Sequence, residues 1–321
     1  MPAETQVVEL VTSGRLALHS RGAVFLTASG PAGGATTRIA HGHDGTCVFR
    51  TDNRCSIHTQ AGAAALPAAC RHYPRVILRD DAGTRVSLSH YCPTAASLLV
   101  SNCGLRVMTA PPGLVVEEPV EGLDARSALP PLIHPGMLAD IDGYCAWEAG
   151  CVAALERHGD ATRALSVIGL ATERLRRWTP AAGSLVDAVA RAFVTAEQTP
   201  GRPVPYASAG RQIVGTLATS APRVAEKPCE PLTAAEERTI SNYLAARVFG
   251  NWLCYQGRGL RTIVAWLHAC HDVVRAFAGS QPIATLDIVS AIRSADFLMM
   301  HTIDSQAFAD AAVSIERERL T

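Results

Sequence analysis

Apolar side chains in the region after residue 137 recur at intervals of three and four residues. This spacing places them along one face of a helix and does not fit strands or a disordered chain. It is clearest at Leu260, Ile263, Val264, Leu267 and Val274, and it recurs at Ile141, Tyr144, Cys145, Val152 and Leu155. Further helices are predicted over residues 160–178, 184–197, 235–250 and 286–310. The predicted fold is therefore mainly α, with a bundle-like carboxy-terminal region.

Side chains that start helices support these positions. Thr233 with Glu236, and Ser184 with Asp187, have the spacing of a capping box, in which a side-chain oxygen accepts from a free N–H of the first turn. Several prolines predict a break in helical structure from Gln198 to Pro231.

The front of the chain is less regular. Two β-prone segments, Arg75–Leu78 and Thr84–Ser89, flank the turn-forming run Asp80–Gly83, which predicts a hairpin. Pro93 is placed to begin a short helix, since proline is favoured in the first helical turn. We therefore expect an irregular, cysteine-rich amino-terminal module that contains a short β-hairpin.

Charge and composition change near residue 110. Residues 1–110 hold 10 arginines against 6 acidic residues, together with 5 of the 10 cysteines. The remaining residues carry a net negative charge, and such asymmetry suggests two regions with different functions. Because a proline-rich stretch separates them, the predicted organisation is a cysteine-cluster module at 1–110, a linker at 111–136 and a helical domain at 137–321.

Other features exclude several classes of function. The 29 basic and 29 acidic residues balance, which gives no electrostatic reason to expect nucleic acid as a partner. No apolar run approaches the roughly 18 residues needed to cross a bilayer, and the start of the chain lacks the pattern of a signal peptide. We therefore expect no membrane partner and a cytoplasmic location. Sequence motifs of hydrolases, zincins, NTPases and Rossmann-type methyltransferases are missing.

Four cysteines lie within 46 residues, in turn-like segments: Cys47, Cys55, Cys70 and Cys92. Four thiolates are what a closed zinc site or a [4Fe-4S] cluster requires. Arginines crowd the same stretch, and positive charge stabilises thiolates; they are Arg50, Arg54, Arg71, Arg75, Arg79 and Arg85. The spacing lacks a C-x2-C knuckle, however, and free cysteines are often small buried apolar residues. On spacing and charge alone, a metal site and core packing both remain open.

Longer blocks around these cysteines resemble the zinc- or iron-chelating cysteine-cluster family, and within it the flagellin lysine-N-methylase branch. The most specific are C-R-x-Y-P-R at residues 70–75 and S-L-S-x-x-C-P-x-A-A at residues 87–96, and the similarity covers about residues 45–100. The segments Asn242–Leu244 and Met299–His301 are weakly similar to the helical half of that branch.

The resemblance implies a metal centre held by Cys47, Cys55, Cys70 and Cys92. For the methylase branch it implies a [4Fe-4S] cluster, S-adenosylmethionine as methyl donor, and a lysine-bearing protein as substrate. Members also carry an earlier cysteine-rich stretch, whereas residues 29–34 here contain no cysteine. The chain is thus expected to be a metal-cluster protein similar to S-adenosylmethionine-dependent protein-lysine N-methyltransferases. The alternative is a non-catalytic protein with a structural four-cysteine zinc site and a helical partner-binding platform.

The remaining cysteines and histidines have simpler interpretations. Cys145, Cys151, Cys229, Cys254 and Cys270 lie mostly in predicted helices and are expected to be packing residues, with Cys103 as a candidate accessory thiol. His41, His43 and His58 neighbour the cysteine cluster, and a structural role is expected for His58. His271 falls on an apolar stripe and is expected to be a core histidine. His301 and Asp304 have the spacing of a proton-transfer dyad on a helix.

Overall fold

The computed structural model describes most of the chain: residues 3–16, 18, 23–29, 35–40, 47–52, 54–101, 103–110, 122–199, 207–217, 231–256, 258–280 and 287–318. The structure is 60% helical, which confirms the mainly α class. Contacts define an amino-terminal unit, residues 1–73 with 117–121, and a carboxy-terminal unit, residues 74–116 with 122–321. The functional division 1–110, 111–136 and 137–321 stays a prediction, and residues 111–121 of the predicted linker lie outside the described residues.

Short elements make up the amino-terminal unit. They are α1 (Ala3–Thr12), β1 (Phe25–Ser29), β2 (Ala35–Ile39), β3 (Arg50–Thr51), β4 (Arg54–Cys55), α2 (Ser56–Ala61) and α3 (Ala68–His72). Strands β1 and β2 form an antiparallel pair, and β3 and β4 form a second pair in which Arg50 lies opposite Cys55. A small apolar core of buried residues that includes Val7, Phe49 and Ile57 holds the unit together.

The carboxy-terminal unit begins with the predicted hairpin. Strands β5 (Arg75–Asp80) and β6 (Gly83–Leu88) pair antiparallel, with Asp80 opposite Gly83 at the turn. The helix α4 (Pro93–Ser97) follows and begins at Pro93, as predicted. Strand β7 (Leu123–Asp124) adds to β5 in parallel, and β8 (Leu132–His134) pairs with β9 (Met137–Leu138).

Helices form the rest of this unit. They are α5 (Ile141–His158), α6 (Ala161–Leu175), α7 (Leu185–Gln198), α8 (Ala207–Leu217), α9 (Ala234–Val248), α10 (Leu260–Gly279), α11 (Ile288–Asp296), a π-helical segment (Phe297–Thr302) and α12 (Ser305–Glu318). Among the described residues, no helix is both long and apolar enough to cross a membrane.

Two helices lie at the centre of the carboxy-terminal core. Helix α10 packs against α6, α8, α9 and α11, and α9 also contacts α5. Every residue of α9 from Thr239 to Val248 is buried, as expected for a helix surrounded by others. The capping box at Thr233 and Glu236 starts α9, which confirms that prediction. Two polar side chains of α9 bond to distant backbone: Asn242 donates to the Leu99 carbonyl, and Arg247 donates to the Leu88 carbonyl.

Two segments differ from the predicted helices. Helix α8 forms within the predicted break from Gln198 to Pro231, because Ala207–Leu217 contains no proline and buries Ile213 and Val214 in the core. The predicted helix over 286–310 is interrupted, since Phe297–Thr302 is π-helical and a new helix begins at Ser305. A π-helical turn holds one extra residue, and such turns are frequent at functional sites.

Candidate functional site

Cys47 lies at a turn in the amino-terminal unit. Its carbonyl accepts from the Arg50 N–H at 2.9 Å, which closes the turn that leads into β3. Burial raises the pKa of Cys47; the Phe49 backbone N–H hydrogen-bonds the sulfur and opposes this, and the nearby Cys55 thiol raises the pKa further. The turn therefore places two thiols near each other and supplies one of them with a backbone donor.

Cys55 and Cys92 each precede a helix. Cys55 is the residue before α2 and Cys92 the residue before α4, and both have extended backbone conformations. Pro93 supports this geometry at Cys92, because proline disfavours helical conformation in the residue before it. Both thiols are partly buried, and neither caps the helix that follows it with a side-chain hydrogen bond.

Cys70 is exposed on α3. Cys47, Cys55 and Cys70 thus belong to the amino-terminal unit, and Cys92 belongs to the carboxy-terminal unit. In the part of the chain that the structure describes, no three or more His, Cys, Asp or Glu side chains come together to hold a metal ion. The thiols fit zinc or iron chemically, but they do not form a preassembled centre, and the four-cysteine site stays a prediction.

The helical half contains a different class of cysteine. Cys151, Cys254 and Cys270 are buried in the core, as expected for packing residues. Cys145 is half-buried, and its sulfur accepts from Arg85 Nη2 at 2.9 Å. Cys103 is exposed, and Cys229 lies outside the described residues.

The charge of Arg85 pairs with carboxylates, although its position in the sequence suggested that it stabilises the cysteine thiolates. Its guanidinium is buried and pairs with Asp80 at 2.5 Å and with Glu148 at 3.2 Å. Its charge is therefore balanced by two carboxylates within the carboxy-terminal unit. The β-hairpin carries the arginine into the helical core, a contact that sequence proximity to the cysteines does not reveal.

The histidines separate into several groups. His58 is exposed on α2, while His41 and His43 lie outside the described residues. His271 is a buried histidine of α10, as predicted, with Nδ1 at 3.2 Å from Asp272 Oδ1. His301 does not form the predicted pair with Asp304. Asp304 accepts from the Ala307 N–H at the start of α12, and His301 reaches a buried polar cluster instead.

This polar cluster is built around Asp296, the last residue of α11. Asp296 is fully buried and lies 3.4 Å from Arg247 Nη1, an ion pair between α11 and α9. Its Oδ2 accepts from the Ser89 hydroxyl at 3.1 Å and from the Tyr91 N–H at 2.9 Å. Arg247 also donates to the Leu88 carbonyl. The end of β6 is thereby tied to two helices far away in sequence.

His301 and His90 complete the cluster. His301 Nε2 lies 2.9 Å from Ser89 Oγ, and His90 packs edge-on against Tyr243. Burial and then the charge of Arg247 lower the pKa of His90 to about 3, against the opposing effect of Asp296. His90 is therefore neutral at ordinary pH.

The polar cluster brings together three segments that each resemble the cysteine-cluster family in sequence. Ser89–Pro93 belongs to a block that resembles the cysteine-cluster family, and Tyr243 and His301 lie in the two weakly similar segments. The sequence does not indicate Arg247 and Asp296, because a lone charged residue in an apolar helix has no distinguishing local pattern. Comparisons of the chain with protein-family models, curated proteins and solved structures found no match.

Proposed function

We propose that this chain is a cytoplasmic metal-cluster protein that methylates lysine side chains of a protein substrate with S-adenosylmethionine as donor. Its thiolate ligands would be Cys47, Cys55, Cys70 and Cys92, and an iron–sulfur cluster is the favoured centre. Bound there, such a cluster would supply redox or Lewis-acid chemistry. These four cysteines would hold it.

The observation that carries this proposal is the incomplete burial of the four thiols. Free cysteines that serve only packing are among the most buried residues, as Cys151 and Cys270 are here. By contrast, Cys70 is exposed and the other three candidates are only partly buried. Thiols left accessible in this way are available to bind metal.

Metal binding would have to overcome the effect of burial at Cys47. Burial raises the pKa of this thiol and so disfavours the thiolate that binds metal, and the Phe49 backbone N–H opposes this only in part. Metal binding and folding are commonly coupled, because ligands that are apart in the free chain are drawn together by the ion. A centre held by these four cysteines would therefore assemble as metal is taken up.

The polar cluster at Asp296 supports the methyltransferase part of the proposal. Three segments that resemble the methylase branch meet there although more than 200 positions separate Ser89 from His301. A buried ion pair is costly to maintain and contributes little to stability by itself. Its position beside the cysteine block favours a role in the activity of the protein.

Anaerobic purification of the full chain, followed by metal and sulfide analysis, tests the metal centre. We expect a brown protein with broad visible absorption and about four iron atoms per chain. Cys70→Ser or Cys92→Ser should lose the metal, whereas the matched core variant Cys254→Ser should keep it. A colourless protein with one zinc would instead identify the alternative, a structural zinc site.

S-adenosylmethionine binding tests the enzymatic part. Calorimetry on the anaerobically purified protein should show saturable binding of S-adenosylmethionine, and mass spectrometry should detect methyl groups on lysines of a flagellin substrate. Absence of both binding and methyl transfer in metal-loaded protein would contradict the methyltransferase proposal.

A further inference from the structure

His301 lies at the end of a hydrogen-bonded chain that determines which of its ring nitrogens carries the proton. The Ser89 hydroxyl has one hydrogen and donates it to Asp296 Oδ2 at 3.1 Å. Ser89 Oγ can therefore only accept from His301 Nε2, which lies 2.9 Å away. The neutral imidazole is consequently protonated at Nε2, and its Nδ1 lone pair is left as a proton acceptor.

The ring of His301 belongs to a partly exposed aromatic surface. Tyr91 and Phe297 are 42% and 47% exposed, and their ring centroids lie 4.9 Å apart. His301 is also exposed and lies 5.9 Å from Tyr91 and 6.1 Å from Phe297, centroid to centroid. Because a π-helix has more than four residues per turn, Phe297 and His301 stack on one side of the segment with ring planes 28° apart.

Charged groups of both signs surround this surface. Arg293 of α11 lies over the Tyr91 ring at 5.9 Å and donates to the Tyr91 carbonyl. From α9, Arg247 faces the buried side of the cluster, where it pairs with Asp296. His90 packs against Tyr243 in the same cluster, and Asp304 follows the π-helical segment and is exposed. Two arginines thus face a single buried carboxylate.

His301 is in the right protonation state to act as a base. Burial lowers the pKa of His301, Asp296 raises it, and Arg247 lowers it again. The net shift is downward, so the ring is neutral near pH 7 and its Nδ1 is free to accept a proton. For a bound ammonium group, the arginines would lower the pKa and Asp296 would raise it.

We propose that His301 is the general base for the substrate amine, with the aliphatic part of a lysine side chain lying on Tyr91 and Phe297. This inference rests on the proposed function and adds its acceptor site. The lysine Nζ gives one proton to His301 Nδ1 and becomes a neutral amine. Its lone pair then forms the N–C bond as the S–C bond to the donor methyl breaks, leaving S-adenosylhomocysteine. Ser89 and Asp296 are positioning residues that hold the tautomer.

Amine binding is testable without methyl transfer. The histidine ring signals of isotopically labelled full-length protein are recorded by NMR, and that of His301 is assigned by its absence in His301→Gln. Titration with Nα-acetyl-lysine amide should shift this signal saturably, whereas Nα-acetyl-norleucine amide, which lacks the amine, should shift it much less. No shift, or equal shifts with both compounds, would overturn the acceptor site.

The pH dependence of methyl transfer tests the role of the base. In the wild type, the rate should rise with pH through an inflection below 6.5 that coincides with the His301 titration seen by NMR. His301→Gln should lose this inflection and about 100-fold or more in rate, while the matched control His134→Gln should behave as the wild type. Ser89→Ala should lower the His301 pKa further, because the acceptor that favours the imidazolium is lost.

These experiments separate the two proposals. Methyl transfer with an unchanged pH profile in His301→Gln would overturn the base assignment and leave the methyltransferase proposal standing. Selective binding of the lysine probe in a protein without methyl transfer would support the amine site and contradict the methyltransferase proposal.

Discussion

Burial at single residues of the helical core controls which side chains carry charge. Burial raises the pKa of Tyr144 and Tyr243 well above the usual value, so both stay neutral. Burial and the neighbouring His271 lower the pKa of His268 to about 4, although Asp272 opposes this. The core therefore contains a histidine that folding keeps neutral at pH values where the unfolded chain protonates it.

His268 should make the protein less stable in mild acid. Its pKa is about 6.5 in the unfolded chain and about 4 in the folded protein. As pH falls through this window, the unfolded state takes up a proton that the folded state does not, so the free energy of unfolding decreases. Between pH 7 and pH 5, the wild type should lose about 2 kcal/mol more than His268→Gln. Urea unfolding at both pH values measures this, and equal losses would contradict it.

A buried ion-pair network connects the β-hairpin to helix α5. Arg85 of β6 connects Asp80 of β5 to Glu148 of α5. Glu148 also accepts from the Gly250 N–H at 2.9 Å, and the Tyr255 hydroxyl donates to Asp80 at 2.7 Å. One guanidinium and two carboxylates thus help to attach the hairpin to the helical core.

Removal of this guanidinium should destabilise the carboxy-terminal unit strongly. Arg85→Met leaves Asp80 and Glu148 buried without their counter-charge, and we expect a loss of about 3–5 kcal/mol. The control Arg126→Met removes an exposed pair with Asp124 and should cost less than about 1 kcal/mol. Denaturant unfolding followed by tryptophan fluorescence compares the two. Similar losses in the free energy of unfolding for both variants would contradict the prediction that burial makes this ion-pair network important for stability.

At the scale of the whole molecule, the two units differ in how they are stabilised. The carboxy-terminal unit has a continuous apolar core that extends from Leu78 to Ala312. The amino-terminal unit has a core of only seven buried apolar residues among those described. A small core supplies little stability, and small units often depend on a metal for the rest.

Metal uptake should therefore order the cysteine region selectively. We expect hydrogen exchange in residues 40–95 to slow when metal is loaded, while exchange in α9 stays unchanged. Cys70→Ser should abolish this protection, and Cys254→Ser should retain it. Uniform slowing over the whole chain, or none in residues 40–95, would contradict a local metal centre.

Local features of the sequence predicted much of the fold and the individual parts of the site. The three-and-four spacing predicted the principal helices, Thr233 and Glu236 predicted the start of α9, and Asp80–Gly83 predicted the hairpin turn. These predictions succeed because the interactions that stabilise helices, helix caps and turns form between residues only a few positions apart. Sequence blocks also indicated the cysteines and the Ser89–Pro93 segment, although not what they contact.

Tertiary packing decided the rest. The meeting of Ser89, Asp296 and His301 depends on how β6 ends against two helices, and no local pattern encodes a contact over 207 positions. Likewise, Arg85 is close to the cysteines in sequence, but the hairpin places it beside Glu148 in the helical core. The sequence by itself determined which segments are helical and which residues have reactive groups. Only the tertiary structure decided which of those groups share a buried environment, because burial and long-range contacts arise from the packing of the whole chain.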